Sequence, residues 1–179
     1  MKKLSFFLSL ATAMLFSACT NPPAENAGTT DDGSAATTAA FNAFFNDVVN
    51  GHNTARLDEI LHPEFHSHHY PMPPGSDKAG FTQGMVALLN AFPDIRSTVN
   101  VKLVQGDKVF SYFTWTGTHQ ATFRGIPPTG KRVTVEGMDI WRVQDGKLAE
   151  NWVIMDAMGL MVQLGVVPPP GSGPAASNQ

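Results

Sequence analysis

Apolar residues recur at two different spacings along this chain, and the spacing changes at Pro93. Before it the period is helical. Phe41, Phe44, Phe45, Val48 and Val49 fall at i, i+3, i+4, i+7 and i+8, which draws one apolar stripe along a helix. Asn50-Gly51 offers that helix a stop. Leu57, Ile60 and Leu61 predict a short second helix, begun near Asn53 and ended by Pro63. Phe81, Met85, Leu88, Leu89 and Phe92 predict a third, with Ser76 as its cap, Asp77 at its positive end and Pro93 closing it. Beyond Pro93 the period is two. Val99, Val101 and Leu103 alternate with polar residues, and Gly106-Asp107 turns the chain. Val109 to His119 is rich in aromatic and β-branched residues and predicts a strand. Arg124 to Lys131 is a Gly/Pro loop. Arg132 to Val143 and Lys147 to Met155 predict a hairpin around Asp145-Gly146, and Asp156 to Leu164 a short last helix.

Helices first and strands afterwards imply an α+β fold, with helices packed on one face of an antiparallel sheet. A curved sheet closed by helices forms a cone with an open mouth. A sheet with alternating apolar residues and few helices to cover it also predicts a homodimer.

The two ends carry neither period. Met1-Lys2-Lys3 is a positive start, and Leu4 to Phe16 is an uncharged apolar run. That run is shorter than the roughly 20 residues a permanent span needs and fits the core of a signal peptide. Phe16-Ser17-Ala18-Cys19 resembles the lipobox of bacterial lipoproteins, with small residues where a peptidase needs room. Cys19 is the only cysteine, so no disulfide can form within one molecule, and lipidation of Cys19 explains a lone thiol in an exported chain. Thr20, in place of Asp, resembles an outer-membrane address. The expected location is therefore the bacterial cell envelope, on the outer-membrane or periplasmic side, with the membrane as partner through the lipid anchor. The expected layout is signal peptide 1–18, lipidated disordered tether 19–37, domain 38–167 and disordered tail 168–179.

Charge and motifs narrow the chemistry. The net charge is −3, and no basic stripe suggests nucleic acid. There is no Rossmann glycine pattern, P-loop, Gly-x-Ser-x-Gly elbow or HExxH. His66-Ser67-His68-His69 invites a metal reading. On a strand, however, His66 and His68 share a face while His69 points away, and no acidic residue lies at ligand spacing. No metal is expected there.

An ordered series of short motifs then appears: Phe92-Pro93-Asp94, Gly117-Thr118-His119, Gly125-Ile126-Pro127-Pro128-Thr129-Gly130, Asp139-Ile140-Trp141-Arg142, Asp145-Gly146-Lys147-Leu148, Asp156-Ala157-Met158-Gly159-Leu160 and Gln163-Leu164-Gly165. In that order they resemble the SnoaL-like polyketide cyclase (ester cyclase) family. The resemblance implies the cone-shaped nuclear-transport-factor-2-like fold, commonly dimeric through its sheet, and a small apolar molecule as ligand. It implies ring closure by intramolecular aldol condensation with no metal and no cofactor. It further implies an aspartate at the end of the last strand as general acid and base. The matching position is Asp156, and His68 matches the family's pocket histidine.

Hairpin geometry bears on the same residues. A two-residue turn at Asp145-Gly146 sets Trp141 opposite Glu150, Asp139 opposite Trp152 and Val135 opposite Asp156, unless a bulge intervenes. If that face is concave, Asp139, Trp152 and Asp156 line one cavity. A carboxyl between apolar walls is pushed upward in pKa, which suits a proton shuttle. Asp156 is then either the catalytic group or the N-cap of the last helix. Asp139 either touches substrate or is a core acid paired with a tryptophan N–H or Arg142. Trp115 and Trp152 are core residues or a substrate platform. His119, on the strand face of Phe113 and Trp115, is a pocket residue or a structural one.

Overall fold

A computed structural model describes residues 33–68, 76–169 and 171. The residues read as a signal peptide, Cys19, His69 and most of the segments read as tether and tail lie outside those residues.

Helix α1 (Ser34–Ala43) starts within the segment read as tether and continues in π-helical winding over Phe44–Asn50. All five residues of the predicted stripe are buried. Gly51 ends the helix because nothing larger fits. A Cβ there would lie 2.4 Å from the Asp47 carbonyl oxygen. After a single 3₁₀ turn, helix α2 (Leu57–Ile60) is shorter than predicted. The chain extends at Leu61 into strand β1 (Leu61–Ser67), so Pro63 lies in a strand and does not end a helix. β1 is at the sheet edge, where a missing N–H is tolerated. Helix α3 (Lys78–Ala91) is capped by Asp77, whose carboxylate accepts from the Gly80 N–H at 2.8 Å. Asp77 takes the role expected of Ser76, because its charge also meets the positive end of the helix.

Strands β2 (Arg96–Gln105), β3 (Lys108–Thr118), β4 (Arg132–Gln144) and β5 (Lys147–Met155) come next, then helix α4 (Ala157–Leu164). The sheet order is β1-β5-β4-β3-β2. β1 runs parallel to β5 and the other pairs are antiparallel, so the sheet is mixed and not wholly antiparallel. The fold is α+β, as the spacing of apolar residues predicts.

The central strands alternate strictly. Val109, Ser111, Phe113 and Trp115 of β3 point inward, as do Val133, Val135, Asp139, Trp141 and Val143 of β4. Gly137 shares that inner row because the Phe113 ring lies over it. A Cβ at Gly137 would be 2.6 Å from Phe113 Cζ.

The two outer antiparallel pairings each contain a bulge. In β2 the register shifts between Val99 and Val101. Val99 packs against the core, whereas Val101 and Leu103 turn outward and are 45% and 65% exposed. In the β4–β5 hairpin, Val143 still faces Leu148, but Arg142 faces Glu150. Ala149 is the extra residue, and consecutive Leu148 and Ala149 are both buried. Beyond it Asp139 faces Val153, Ile140 faces Trp152 and Trp141 faces Asn151. A two-residue turn without a bulge would have given the register expected from the sequence; the bulge moves every later residue of β5 to the opposite face.

Candidate functional site

A cavity of about 160 Å³ lies between the inner sheet face and the helices. An apolar void of roughly 150 Å³ already accepts benzene, so this one has room for a small ring system. Phe44, Phe45 and Val49 close one side, and Phe81, Met85 and Leu88 of α3 another. Phe113, Trp115 and Trp141 form the sheet wall, with Val153 and Met155 from β5 and Phe123 from the loop after β3. Among the residues lining it, two carry ionisable groups: Asp139 and Arg124.

Asp139 is 3% exposed. Its inward direction follows from strand parity, and its cross-strand neighbour on β3 is Ser111. The Ser111 hydroxyl donates to one carboxylate oxygen at 2.5 Å and the Trp141 indole N–H to the other at 2.7 Å. Burial raises the pKa, while the two donors, which favour the charged form, oppose it. Burial prevails, and the value rises from 3.8 to about 6. A carboxyl with that value is available in both protonation states close to neutrality. Beside it, the Ser67 hydroxyl donates to Asn151 Oδ1 at 2.7 Å, both residues being buried and on the cavity wall.

The sequence-predicted residues separate. Asp139 and Trp115 line the cavity. The tryptophan N–H that holds Asp139 belongs to Trp141, whereas Arg142 pairs with Glu150. Asp156 does not sit between apolar walls, which corrects the expectation drawn from the register. It is exposed at the end of β5 and accepts from the Gly159 N–H at 2.7 Å, the geometry of an N-cap. Trp152 faces outward, again because of the bulge. The His68 ring stacks on it at 4.4 Å and 1° and reaches Glu150 at 2.8 Å, so His68 belongs to the outer face and not to the cavity wall. Together His68 and Arg142 lower the Glu150 pKa. His119 is fully buried but absent from the cavity lining. The Thr129 N–H donates to its Nδ1 at 3.3 Å, and its ring lies 5.1 Å from that of Phe92. It therefore packs behind the cavity wall, with its Nε2 buried and without a hydrogen-bond partner. His66 shares a face with His68, as strand parity predicts, with rings 4.6 Å apart. Among the described residues no three His, Cys, Asp or Glu side chains converge as metal ligands.

Sequence reasoning missed Ser111, Asn151 and Arg124, and left open which tryptophan holds Asp139. Ser111 had a signal: a polar residue between Val109 and Phe113 at the inward parity of β3. Asn151 had none, since its direction depends on the bulge. Arg124 sits in a two-residue turn closed by Phe123 and Ile126, each donating its N–H to the other's carbonyl at 3.0 and 2.9 Å. Arg124 and Gly125 both have positive φ, 51° and 79°. Such turns favour Asn, Asp or Gly, and an L-residue there costs about 1–2 kcal/mol. The guanidinium lies 5.1 Å from the Phe123 ring centroid; the residue is exposed as a whole, and partial desolvation on its cavity side lowers its pKa.

The SnoaL-like polyketide cyclase model matches residues 39–164. Over 129 residues the chain is 27% identical to the nogalonic acid methyl ester cyclase of Streptomyces nogalater, covering 66% of this chain and 92% of that one. TsrD from Streptomyces laurentii superposes with a TM-score of 0.66 at 29% identity, covering 74% of this chain and 97% of the other. IdmH from Streptomyces antibioticus superposes at 0.61 with 28% identity, covering 72% and 98%.

Asp139 makes stability depend on pH in a defined direction. Because its folded-state pKa is raised, its contribution is fully present below 3.8 and is lost as pH rises through about 6. Asp94 and Glu150, whose pKa values are lowered, act in the opposite direction and lose their contribution as pH falls. Comparison with Asp139→Asn isolates the first effect. The amide stays neutral, and Ser111 can turn its hydroxyl to accept from it. Relative to wild type, the variant should gain up to about 3 kcal/mol between about pH 4 and about pH 7. Denaturant unfolding of both proteins across that range checks this. A difference that does not change with pH would show an ordinary carboxyl at Asp139.

Proposed function

This chain belongs to the SnoaL-like polyketide cyclase family, and we propose that it binds a small, largely apolar molecule in the cavity and exchanges a proton with it through Asp139. The observation that carries this reading is the position of Asp139: among the described residues it is the one carboxyl on the cavity wall. The ring closure implied by the resemblance needs such a group and nothing else that titrates. Ionised Asp139 takes a proton from the carbon beside a ketone. The resulting enolate carbon attacks a second carbonyl of the same molecule, forming a carbon–carbon bond. The new alkoxide then takes the proton back from Asp139. Ser111 and Trp141 hold the carboxyl in place and stabilise its ionised form. The apolar walls exclude water that would protonate the enolate early. The Streptomyces nogalater relative is named for cyclising a methyl ester, which supports ring closure as the reaction class.

The partial reaction is measurable without the natural substrate. With 2-acetonaphthone in D₂O, the protein should accelerate exchange of the methyl protons, followed by NMR. General acid–base contributions run to about 10²–10⁴-fold, and Asp139→Asn should lose an acceleration of that order. One feature favours a second reading. Both Asp139 oxygens already accept a hydrogen bond, which suits a satisfied structural acid in a non-catalytic binding protein. Binding of the ketone with no exchange, or equal exchange by the variant, would select that reading.

Two partners complete the proposal. The first is a second copy of the chain. The outer sheet face carries two cross-strand rows: Leu103, Phe110, Ile140 and Trp152, and beside them Val101, Tyr112, Met138 and Ile154. Six of the eight are large apolar side chains exposed by 36% to 78%. Contiguous apolar surface of this kind marks an interface, and the homodimer expected of the family covers it. Sedimentation at about 10–50 micromolar should give a dimer, and Met138→Lys with Ile154→Lys a folded monomer. A wild-type monomer would contradict the assignment.

The second partner is the membrane. No helix among the described residues is long and apolar enough to cross one. The Phe16-Ser17-Ala18-Cys19 run supports attachment through lipid on Cys19 on the envelope side. Cys19→Ala should release the protein from the membrane fraction, and unchanged association would rule the anchor out.

A further inference from the structure

The second ionisable group on the cavity wall, Arg124, has no part in proton exchange at Asp139. The two stand at different levels. Asp139 lies opposite Ser111 on β3. Arg124 follows Phe123, whose ring packs 5.4 Å from Phe92, and Phe92 in turn lies 5.2 Å from Trp115. Ser111 and Trp115 are four positions apart on one strand, about 13 Å. The wall between them is Phe113. The cavity therefore has a carboxyl at one level, an aromatic waist and a guanidinium near the other end.

Two independent features set Arg124 apart from an ordinary loop arginine. Its backbone is left-handed, φ 51°, in a turn that Asn, Asp or Gly would adopt without strain. Its guanidinium lies over the ring of Phe123, a buried residue that lines the cavity. The turn and the ring together direct a delocalised cation to the cavity wall, at a site an unstrained residue could not serve. Local strain held by such a frame points to a role for the side chain.

We propose that Arg124 is an anion subsite, and that the ligand is an aromatic or polyene body with a carboxylate or an ionised enol oxygen at the end remote from Asp139. A guanidinium binds a carboxylate with two parallel hydrogen bonds, and such charge-assisted pairs are stronger than neutral ones. The same arrangement fixes orientation. Reversing the ligand would set its anion against ionised Asp139. The subsite rests on the cavity being a ligand site and specifies which ligands it prefers.

The test is calorimetric titration of the full chain at neutral pH with three probes on one ring system: 2-naphthoate, methyl 2-naphthoate and 2-naphthylmethylammonium. The expected result is that the carboxylate binds about 10-fold or more tightly than the ester, with the ammonium weakest. Arg124→Asn should abolish the preference for the acid, keep the affinity for the ester, and melt at or above the wild-type temperature because the turn strain is relieved. Equal affinity of wild type for acid and ester overturns the subsite while leaving the cavity a binding site. So does an Arg124→Asn variant that weakens acid and ester equally, which would mean packing. Binding of none of the three probes overturns both the subsite and the ligand site on which it rests.

Discussion

One extra residue in strand β5 decides what this cavity contains. Ala149 is accommodated as a bulge, so Leu148 and Ala149 are buried in succession and the alternation of β5 restarts one step out of phase. From that point Asn151, Val153 and Met155 form the inner wall, and Glu150, Trp152 and Ile154 the outer face. Without the bulge Trp152 would fill part of the cavity opposite Asp139, and its ring would be lost from the outer rows. The inner site and the outer apolar face are thus set by one local irregularity. This is a common use of bulges, which re-aim side chains beside functional sites.

Within the cavity the governing tension is between burial and hydrogen bonding at Asp139. A carboxylate at 3% exposure is costly to ionise, and two donors offset only part of that cost. The balance leaves the pKa at about 6, which keeps both protonation states within reach close to neutrality. It also sets the structural requirements around it. Ser111 must be small and hydroxylic, and Trp141 must present its N–H while its ring packs against Phe44 at 4.7 Å. Both belong to the core as much as to the site.

Much of this was legible in the chain. The helical stripe from Phe41 to Val49 and the parity of β3 and β4 follow from burial of one face, a property each residue reports for itself. The candidacy of Asp139 and Trp115 follows from that parity, and the ordered motifs place the family. The features that were not legible depend on pairing between segments. The bulges in β2 and β5 have no signature in composition, and each inverts the facing of the residues beyond it. Asp156 illustrates the consequence. Its chemistry is that of Asp139, and an unbroken register brings both to one face, yet it caps α4 in solvent. The parallel edge strand β1 was missed for a similar reason. Leu61 continues the apolar spacing of α2, and its extended backbone is set by pairing with β5. Arg124 was hidden in a Gly/Pro loop, where no period exists to read.

The central claim is that Asp139 is the cavity's proton-exchanging group. Carbon-13 NMR of side-chain carboxyl carbons, with Asp139 assigned by its absence in Asp139→Asn, reports that titration directly. The expected midpoint is near pH 6 and shifts when a ketone ligand is bound. A midpoint near 3.8, or one unmoved by a bound ligand, would contradict the claim.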